Sequence, residues 1–479
     1  MITRTQSLLA ILLLWAATYL PALGFSEFHG EEAKRVVPAV SMIDSGQYLV
    51  PYLGGQPYLR KPPLVNWLVA ASFQLFGTRN EWTARLPSTI FILAVAITLV
   101  TAGRMVLGPT GSTIAALCWL TNLGLIDRAR TIEIDAIYAS LFALALISWL
   151  VCWQLYRSPW LTFTVPWIFL GLGLLAKGPA LVCFFYVLLL TVLWRTRRLR
   201  ELLHPAHAVG VLVMLTIFTA WALPYFLEVR SHSSLETWSH EVAVVFRGEE
   251  GRSENWWLNL PSGIAYFLPW IFLLLFIRPN KIVDPAQRET AHGLTWGTFV
   301  PFVAVLLFPG ALPRYVLPLG APISWLIGMA YAHGAFEWRL AIKNFQIRVP
   351  RQLIGSLIAI GIVGEIMIFP LRTVTFLKRH ERVKPIAAQI NAAALPGEPL
   401  YAIGQVSQPY FFYVRAPVIY VSTLDDLPAT ARNFFIQSRD LEKLEANPRW
   451  NVLRPQLVAR IPRYRNREAM IFAVKPKKD

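Results

Sequence analysis

Long apolar runs recur along most of the chain and alternate with short polar segments. The first lies within residues 1–25, after a short basic start and without a small-residue cleavage site, so we expect an uncleaved first span. Later runs of membrane length lie at 84–103, 108–126, 134–155, 160–176, 179–194, 208–227, 257–277, 293–309, 313–332 and 352–371. A helix needs roughly 20 apolar residues to cross a bilayer. The pattern predicts a polytopic α-helical membrane protein with about eleven to thirteen transmembrane helices, eleven by these runs.

Two segments outside these runs have patterns of their own. From about residue 376 the hydropathy falls, and short alternating runs such as PLYAIGQ and PVIYVS are separated by polar stretches such as SRDLEKLEAN. This pattern predicts a small soluble α/β domain at 376–479, following a membrane domain at 1–375. In the first long loop, EEAKRVVPAVSMI and PPLVNWLVAASFQLFG are typical of amphipathic helices that lie at a membrane surface.

Composition and charge agree with a membrane protein. Of 479 residues, 55% are apolar and 15% are charged, and the formal net charge is +17. With the N-terminus inside, the basic residues fall mostly in inside segments, as in the arginine cluster at 195–200, so the positive-inside rule explains the charge without a nucleic-acid partner. An odd number of spans then places the C-terminal domain outside. The three cysteines lie in apolar runs and predict neither disulfides nor a thiolate metal site.

The outside loops break this charge rule and supply the candidate chemistry. Cations gather in and just after the first loop, at Lys34, Arg35, Arg60, Lys61, Arg79 and Arg85. Glu133 and Asp135 stand at the start of the fourth span, where an acidic residue is either functional or a helix cap. Lys177 follows a helix break in LLAKGPALV, where a snorkelling lysine is the structural alternative.

Several motifs occur in a familiar order: EEAKR, SGQYLVPYLGGQPYLRKPPLVNW, ARLPS, AKGP and LPRYVLP. Their order over residues 7–335 resembles the bacterial membrane glycosyltransferases related to protein O-mannosyltransferases and to the aminoarabinose transferase that modifies lipid A. The resemblance implies the GT-C fold and a sugar donor linked to a lipid phosphate. It does not identify the sugar or the acceptor.

The resemblance also implies roles for individual residues. Glu31 takes the place of the family's catalytic first-loop aspartate, and Asp135 matches its second acidic position. Lys61 matches a lysine that contacts the lipid phosphate, Lys34 a nearby arginine, and Tyr315 a tyrosine that faces the same phosphate. Arg60 departs from relatives that carry an acidic residue there, which argues against a metal site at that position.

The chemistry of such a transfer uses the same residues. A departing phosphate needs cations, which Lys61, Arg60, Lys34 and Arg314 supply. An acceptor hydroxyl needs a carboxylate base, with Glu31 the first choice and Asp135 the second. Further candidate substrate contacts are Glu32, Arg85, Lys177, His240 and Arg247. The loop at 228–256 also carries His232 and Glu241, which leaves a divalent metal ion open as a cofactor.

The sequence therefore predicts an inverting glycosyltransferase of the bacterial inner membrane. Its expected partners are a polyprenyl-phosphate-linked sugar, a glycolipid or protein acceptor, and membrane lipids. The active site and the C-terminal domain are expected on the periplasmic side. The alternative is a transporter or flippase of lipid-linked sugars, which would handle the same phosphate.

Overall fold

A computed structural model of the chain describes residues 3–58, 60–229, 256–308, 311–342, 345–348, 350–379, 382–404, 409–464 and 467–474. The chain forms two compact units. The first, called the membrane unit, comprises Met1–Leu23, Leu59–Val65 and Arg85–Pro370. The second, called the sheet unit, comprises Gly24–Tyr58, Asn66–Ala84 and Leu371–Asp479.

Helices dominate the chain between its N-terminus and residue 393. In chain order the α-helices are α1 Arg4–Tyr19, α2 Ala33–Ser45, α3 Leu64–Phe76, α4 Glu81–Thr101, α5 Arg104–Leu120, α6 Leu123–Ala129, α7 Ile134–Gln154, α8 Pro159–Ala176, α9 Ala180–Arg195, α10 Pro205–Val229, α11 Asn259–Ala265, α12 Pro285–Leu306, α13 Gly320–Ala332, α14 Arg351–Arg379, α15 Val383–Ala393, α16 Leu441–Glu445 and α17 Pro448–Leu453. The strands are β1 Tyr52–Leu53, β2 Gln56–Pro57, β3 Arg339–Ile342, β4 Phe345–Arg348, β5 Leu400–Ile403, β6 Val418–Val421, β7 Asn433–Gln437, β8 Gln456–Tyr464 and β9 Arg467–Ala473.

Each of the eleven apolar runs overlaps a helix or a pair of helices. By length and composition, five described helical segments can cross a membrane, or six if one bent pair counts as a span. The five are α4, α7, α8, α10 and the segment Pro313–Ala332 that ends with α13. Shorter runs became shorter helices, such as the 16 residues of α1 and of α9. Polytopic helical architecture is confirmed, whereas the number of crossings stays a prediction.

The run at 257–277 was predicted as one span, and in the structure it is sharply bent. It forms α11 and a 3-10 helix at Trp270–Phe276, bent by 94°. Pro269 lacks the N–H that a continuous helix requires. The carbonyls of Tyr266 and Leu268 instead accept hydrogen bonds from the backbone of Gly124 at 2.8 Å and Leu123 at 3.1 Å. The break therefore joins this segment to the start of α6.

Helix α7 is enclosed along nearly its whole length. Of its 21 residues, 18 are buried, on every side of the helix. Elsewhere small residues allow close approach, as at Gly111 of α5 and Gly328 of α13. A Cβ at either glycine would lie 2.5–2.6 Å from the carbonyl oxygen of the other. Small residues at such crossings are the usual means by which membrane helices pack.

The predicted C-terminal α/β fold is confirmed. Five strands form one sheet in the order β6-β5-β7-β9-β8. Strand β5 is parallel to β6 and β7, whereas β9 is antiparallel to β7 and β8. Alternating side chains fill a core on each face, with Ala402 and Phe435 on one side and Ile403 and Phe434 on the other.

The first loop contributes to the same sheet unit, and no sequence pattern predicted this association. Helices α2 and α3 form where amphipathic helices were predicted. Between them, the hairpin β1–β2 meets β6: the backbone N–H of Tyr420 donates to the Gly54 carbonyl at 2.6 Å. Leu53 and Tyr58 enter the core that packs under α15. The domain boundary at 375 and 376 stays a prediction.

We predict that Gly328→Ala lowers the free energy of unfolding of the membrane unit. Its Cβ would meet a backbone carbonyl, which cannot move aside as a side chain can, so a cost of about 1–3 kcal/mol is expected. The measurement is thermal unfolding of the purified full chain in detergent. Gly355→Ala is the matched control, because a Cβ there meets open space. Equal melting temperatures for the two variants would contradict the packing.

Candidate active site

The stretch QPYLRKPPLVNW spans a change from loop to helix. Arg60 is exposed and Lys61 is half-buried, and both belong to the membrane unit. Helix α3 begins at Leu64, directly after Pro62 and Pro63. Proline restricts its own φ and the conformation of the residue before it, so the pair limits the directions that the Lys61 backbone can take.

Asp135 lies in the first turn of α7, with its side chain only 8% exposed. Lys177 Nζ donates to Asp135 Oδ1 at 2.5 Å. Arg314 Nε lies 3.3 Å from Asp135 Oδ2. A buried charge requires such partners, so both carboxylate oxygens are engaged by cations from other parts of the membrane unit.

Lys177 directly follows α8, where the chain turns into α9. Its ammonium lies 4.4 Å from the centre of the Tyr315 ring and 5.6 Å from that of Tyr138. The Tyr138 hydroxyl donates to the Gly178 carbonyl at 3.0 Å and accepts from the Leu181 N–H at 2.6 Å. These bonds hold the turn and with it the position of Lys177.

The charge state of Lys177 reflects its neighbours. Burial holds the pKa of Lys177 below the ordinary lysine value. The charges of Arg314 and Lys61 lower this pKa further, whereas Asp135 raises it. Lys61 is therefore close enough to Lys177 for its charge to act on it.

We call Lys61, Asp135, Lys177, Arg314 and Tyr315 the cation cluster. Two lysines and one arginine gather around one carboxylate where α7 and α9 begin. An arrangement of this kind suits an anion such as a phosphate, which accepts charge-assisted hydrogen bonds from lysine and arginine. The structure thus brings together four residues singled out for phosphate contact or substrate binding, and Asp135 pairs with two of them, Lys177 and Arg314.

A neighbouring group in the same unit was missed as a site. Arg128 of α6 donates to Glu133 at 2.6 Å and to the Tyr266 hydroxyl at 3.0 Å. Burial works against its charge, but the carboxylates of Glu133 and Asp127 outweigh burial and raise the pKa of Arg128. The spacing of Arg128 and Asp135 in DRARTIEID was the available signal. Tyr266 had none, because it lies more than 100 residues away in the sequence.

The acidic residues of the first loop belong to the sheet unit. Glu31 pairs with Lys34 at 2.7 Å, and its side chain is 50% exposed. Glu32 is buried and accepts from the His29 backbone N–H at 3.0 Å. Glu32 therefore stabilises the turn at the start of α2, while the Glu31 side chain is half exposed.

Three other candidate residues lie elsewhere. Arg85 is fully buried in α4 and donates to the Leu23 carbonyl at 2.8 Å, which ties α4 to the segment after α1. This bond gives its predicted substrate contact no support. His240 and Arg247, with the adjacent His232 and Glu241, lie outside the described residues.

A metal site finds no support in the part of the chain that the structure describes. There, no three histidine, cysteine, aspartate or glutamate side chains come together as metal ligands. Asp135 is already engaged by two cations, and Glu31 by Lys34. No cofactor is established for this protein.

The chain is similar to several known proteins. A family model described as dolichyl-phosphate-mannose-protein mannosyltransferase matches residues 60–223. The undecaprenyl phosphate-alpha-4-amino-4-deoxy-L-arabinose arabinosyl transferase of Pseudomonas savastanoi pv. phaseolicola is 29% identical over 325 residues, 65% of this chain and 58% of the relative. A Pseudomonas fluorescens protein with that description is 26% identical over 381 residues, 74% of this chain and 65% of the relative. The matches thus span about three fifths of these relatives.

Solved structures give the same fold. The crystal structure of ArnT from Cupriavidus metallidurans bound to undecaprenyl phosphate superposes with a TM-score of 0.74 at 19% identity, covering 98% of this chain and 97% of that one. An Archaeoglobus fulgidus oligosaccharyltransferase, in complex with Zn and sulfate, gives 0.53 at 11% identity, covering 91% and 68%. The chain therefore has the GT-C membrane fold and is related to the aminoarabinose transferases and the O-mannosyltransferases. It is a multi-pass protein of the inner membrane.

We predict strong energetic coupling between Asp135 and Lys177. Removing either partner leaves the other without its counter-charge, so Asp135→Asn and Lys177→Met should each lower the free energy of unfolding. The double variant should lose less stability than the sum of the two single losses. A coupling of about 1–3 kcal/mol is expected from unfolding of the four proteins in detergent. The exposed pair Lys281 and Glu337, 3.5 Å apart, is the control, with coupling under about 1 kcal/mol. Additive effects at Asp135 and Lys177 would contradict the arrangement.

Proposed function

We propose that this protein transfers a sugar from a polyprenyl-phosphate carrier to a glycolipid or protein acceptor, with inversion, on the periplasmic face of the inner membrane. The single observation that carries the proposal is the cation cluster, in which a buried carboxylate pairs with two cations at the N-terminal end of α7. The relatives named above support the donor class, and the fold supports the architecture.

The cation cluster would act on the leaving group. As the acceptor oxygen bonds to the anomeric carbon, the bond from that carbon to the phosphate oxygen breaks, and the carrier leaves as a polyprenyl phosphate. Lys61, Lys177 and Arg314 offer the charges that stabilise this anion, where preorganised donors have their largest effect on rate. Tyr315, whose ring faces the Lys177 ammonium, limits where that ammonium can move.

Asp135 would position these cations. Its two oxygens engage Lys177 and Arg314, and its negative charge offsets the repulsion between these two cations. A carboxylate held in this way is a poor proton acceptor, because protonation would break both ion pairs. The geometry thus supports Asp135 as a positioning residue rather than as the base of second choice.

Glu31 is the stronger candidate for the base. Its exposed carboxylate can reach an acceptor hydroxyl and take its proton as the new glycosidic bond forms. Its partner Lys34 limits where the carboxylate can move. If the acceptor is itself an ionised phosphate, no proton is removed, and Glu31 then orients the acceptor instead.

We predict that Lys61→Ala and Glu31→Gln impair transfer in different ways. The test gives the purified, reconstituted protein a labelled polyprenyl-phosphate sugar and an envelope lipid extract. Lys61→Ala should lose roughly a hundredfold in rate through a less stabilised leaving group. Glu31→Gln should lose about a hundredfold or more with a hydroxyl acceptor while still binding the donor.

Arg79→Gln is the matched control for this assay. Arg79 is a surface cation of the same loop that pairs with Asp44, so full activity is expected. Full transfer by both test variants would refute the residue assignments. Movement of labelled carrier across the membrane without any sugar transfer would instead support a flippase.

We further predict an alkaline limit to donor binding that depends on Lys177. Because the pKa of Lys177 is lowered, its ammonium loses its proton at a lower pH than an ordinary lysine does. Binding of undecaprenyl phosphate should weaken as pH rises through that pKa. In Lys177→Arg the limit should move to higher pH, since arginine keeps its charge. Identical pH profiles for the two proteins would exclude Lys177 from the phosphate site.

A further inference from the structure

A second polar site lies in the membrane unit, away from the cation cluster. It is a cleft of about 1120 Å³ where α7 and α9 end and α12 begins. Four arginines line it, Arg195, Arg197, Arg198 and Arg200, so we call it the arginine cleft. Asp284 and Glu289 also line it, which leaves an excess of positive charge.

The arginine cleft is on the opposite membrane face from the cation cluster. Asp135 is in the first turn of α7, and Gln154, which lines the cleft, is its last residue. At a rise of 1.5 Å per residue, the 19 intervening steps separate the two positions by about 28 Å. This distance is close to the thickness of a bilayer core, so one bound headgroup cannot contact both sites.

The four arginines differ in how fully they are used. Arg195 pairs with Glu289 at 2.7 Å. Arg198 pairs with Glu201 and lies between two rings, 5.1 Å from that of Trp153 and 5.2 Å from that of Tyr156. Arg197 and Arg200 are exposed and form no ion pair with any described residue.

Buried polar atoms in the cleft lack partners. Both amide atoms of Gln154, the Oε1 of Gln287 and the Nε of Arg195 are buried and form no hydrogen bond among the described residues. Such atoms are rare in folded proteins because their burial is unfavourable without a partner. All three residues line the cleft, and a ligand that enters it and displaces their side chains can supply the missing bonds.

The unpartnered atoms define the chemistry of that ligand. The Arg195 and Gln154 N–H groups, with the exposed guanidinium groups of Arg197 and Arg200, donate and therefore suit a phosphate. The amide oxygens of Gln154 and Gln287 accept and therefore suit hydroxyl groups beside it. A cationic amine is disfavoured by the positive excess of the cleft.

The rim of the cleft favours a ligand with an apolar tail. Trp194 is 64% exposed and Tyr156 75% exposed, and aromatic side chains of this kind concentrate at membrane interfaces.

We propose that the arginine cleft binds the phosphoglycerol headgroup of an anionic phospholipid. The arginines and the Gln154 amide nitrogen hold the phosphate, and the glutamine oxygens accept from the glycerol hydroxyls. The site is independent of sugar transfer and binds a lipid of the leaflet opposite to the cation cluster.

The test titrates the full chain in detergent with phosphatidylglycerol and counts bound lipids by native mass spectrometry. We expect tighter binding than for phosphatidylethanolamine. Arg200→Gln and Gln154→Leu should each weaken phosphatidylglycerol binding roughly fivefold, since each removes a hydrogen-bonding group. Arg157→Gln is the control, because Arg157 is an exposed arginine at the same end of the bundle that does not line the cleft.

A parallel titration with soluble glycerol 3-phosphate separates the two sources of this headgroup. Binding of glycerol 3-phosphate that depends on Arg200 and Gln154, without retention of the lipid, would keep the phosphoglycerol site but overturn its assignment to a lipid. Absence of both ligands, or equal losses in Arg157→Gln and Arg200→Gln, would overturn the site itself.

Discussion

The ion pairs of Asp135 with Lys177 and Arg314 are the interaction on which this end of the membrane unit depends. This carboxylate lies at the start of a helix that is buried on every side, where an unpaired charge would be strongly unfavourable. Its partners come from distant parts of the chain, Lys177 after α8 and Arg314 before α13. Three helical segments are therefore tied together by one anion. The same ion pairs hold together two cations that like-charge repulsion would otherwise separate, at the phosphate site proposed above.

Breaks between helices position the residues around Asp135. The turn between α8 and α9 carries Lys177 and is held by the Tyr138 hydroxyl. The break at Tyr266–Pro269 brings the Tyr266 hydroxyl to Arg128, next to the start of α7. Irregular backbone is tolerated at membrane depth only where its polar groups find partners, and here they find them in neighbouring turns. The residues proposed to bind the phosphate thus lie where the helices end.

The sequence predicted much of this and missed what depends on long-range contact. Runs of apolar residues located the helices, and the motif with Lys61 together with the helix starts at Asp135 and Lys177 marked the candidate residues. Hydropathy could not show that 257–277 bends, because the cause is a proline with backbone partners in α6. Nor could it show that Asp135 binds Lys177 and Arg314 rather than standing as an available base. Arg85 was predicted as a cation near the first loop, yet it is buried and donates to the Leu23 carbonyl. The hairpin that joins the first loop to β6 left no signal, since edge pairing is set by the tertiary fold.

The central claim is that Lys61, Lys177 and Arg314 form the site of the carrier phosphate. A cryo-electron microscopy structure of the full chain in lipid nanodiscs with undecaprenyl phosphate tests it most directly. The account predicts phosphate density within about 4 Å of the Lys177 and Lys61 ammonium groups, with Asp135 still paired to Arg314. Phosphate density at another position, with the Asp135 ion pairs closed and Lys61 turned away from it, would contradict the account.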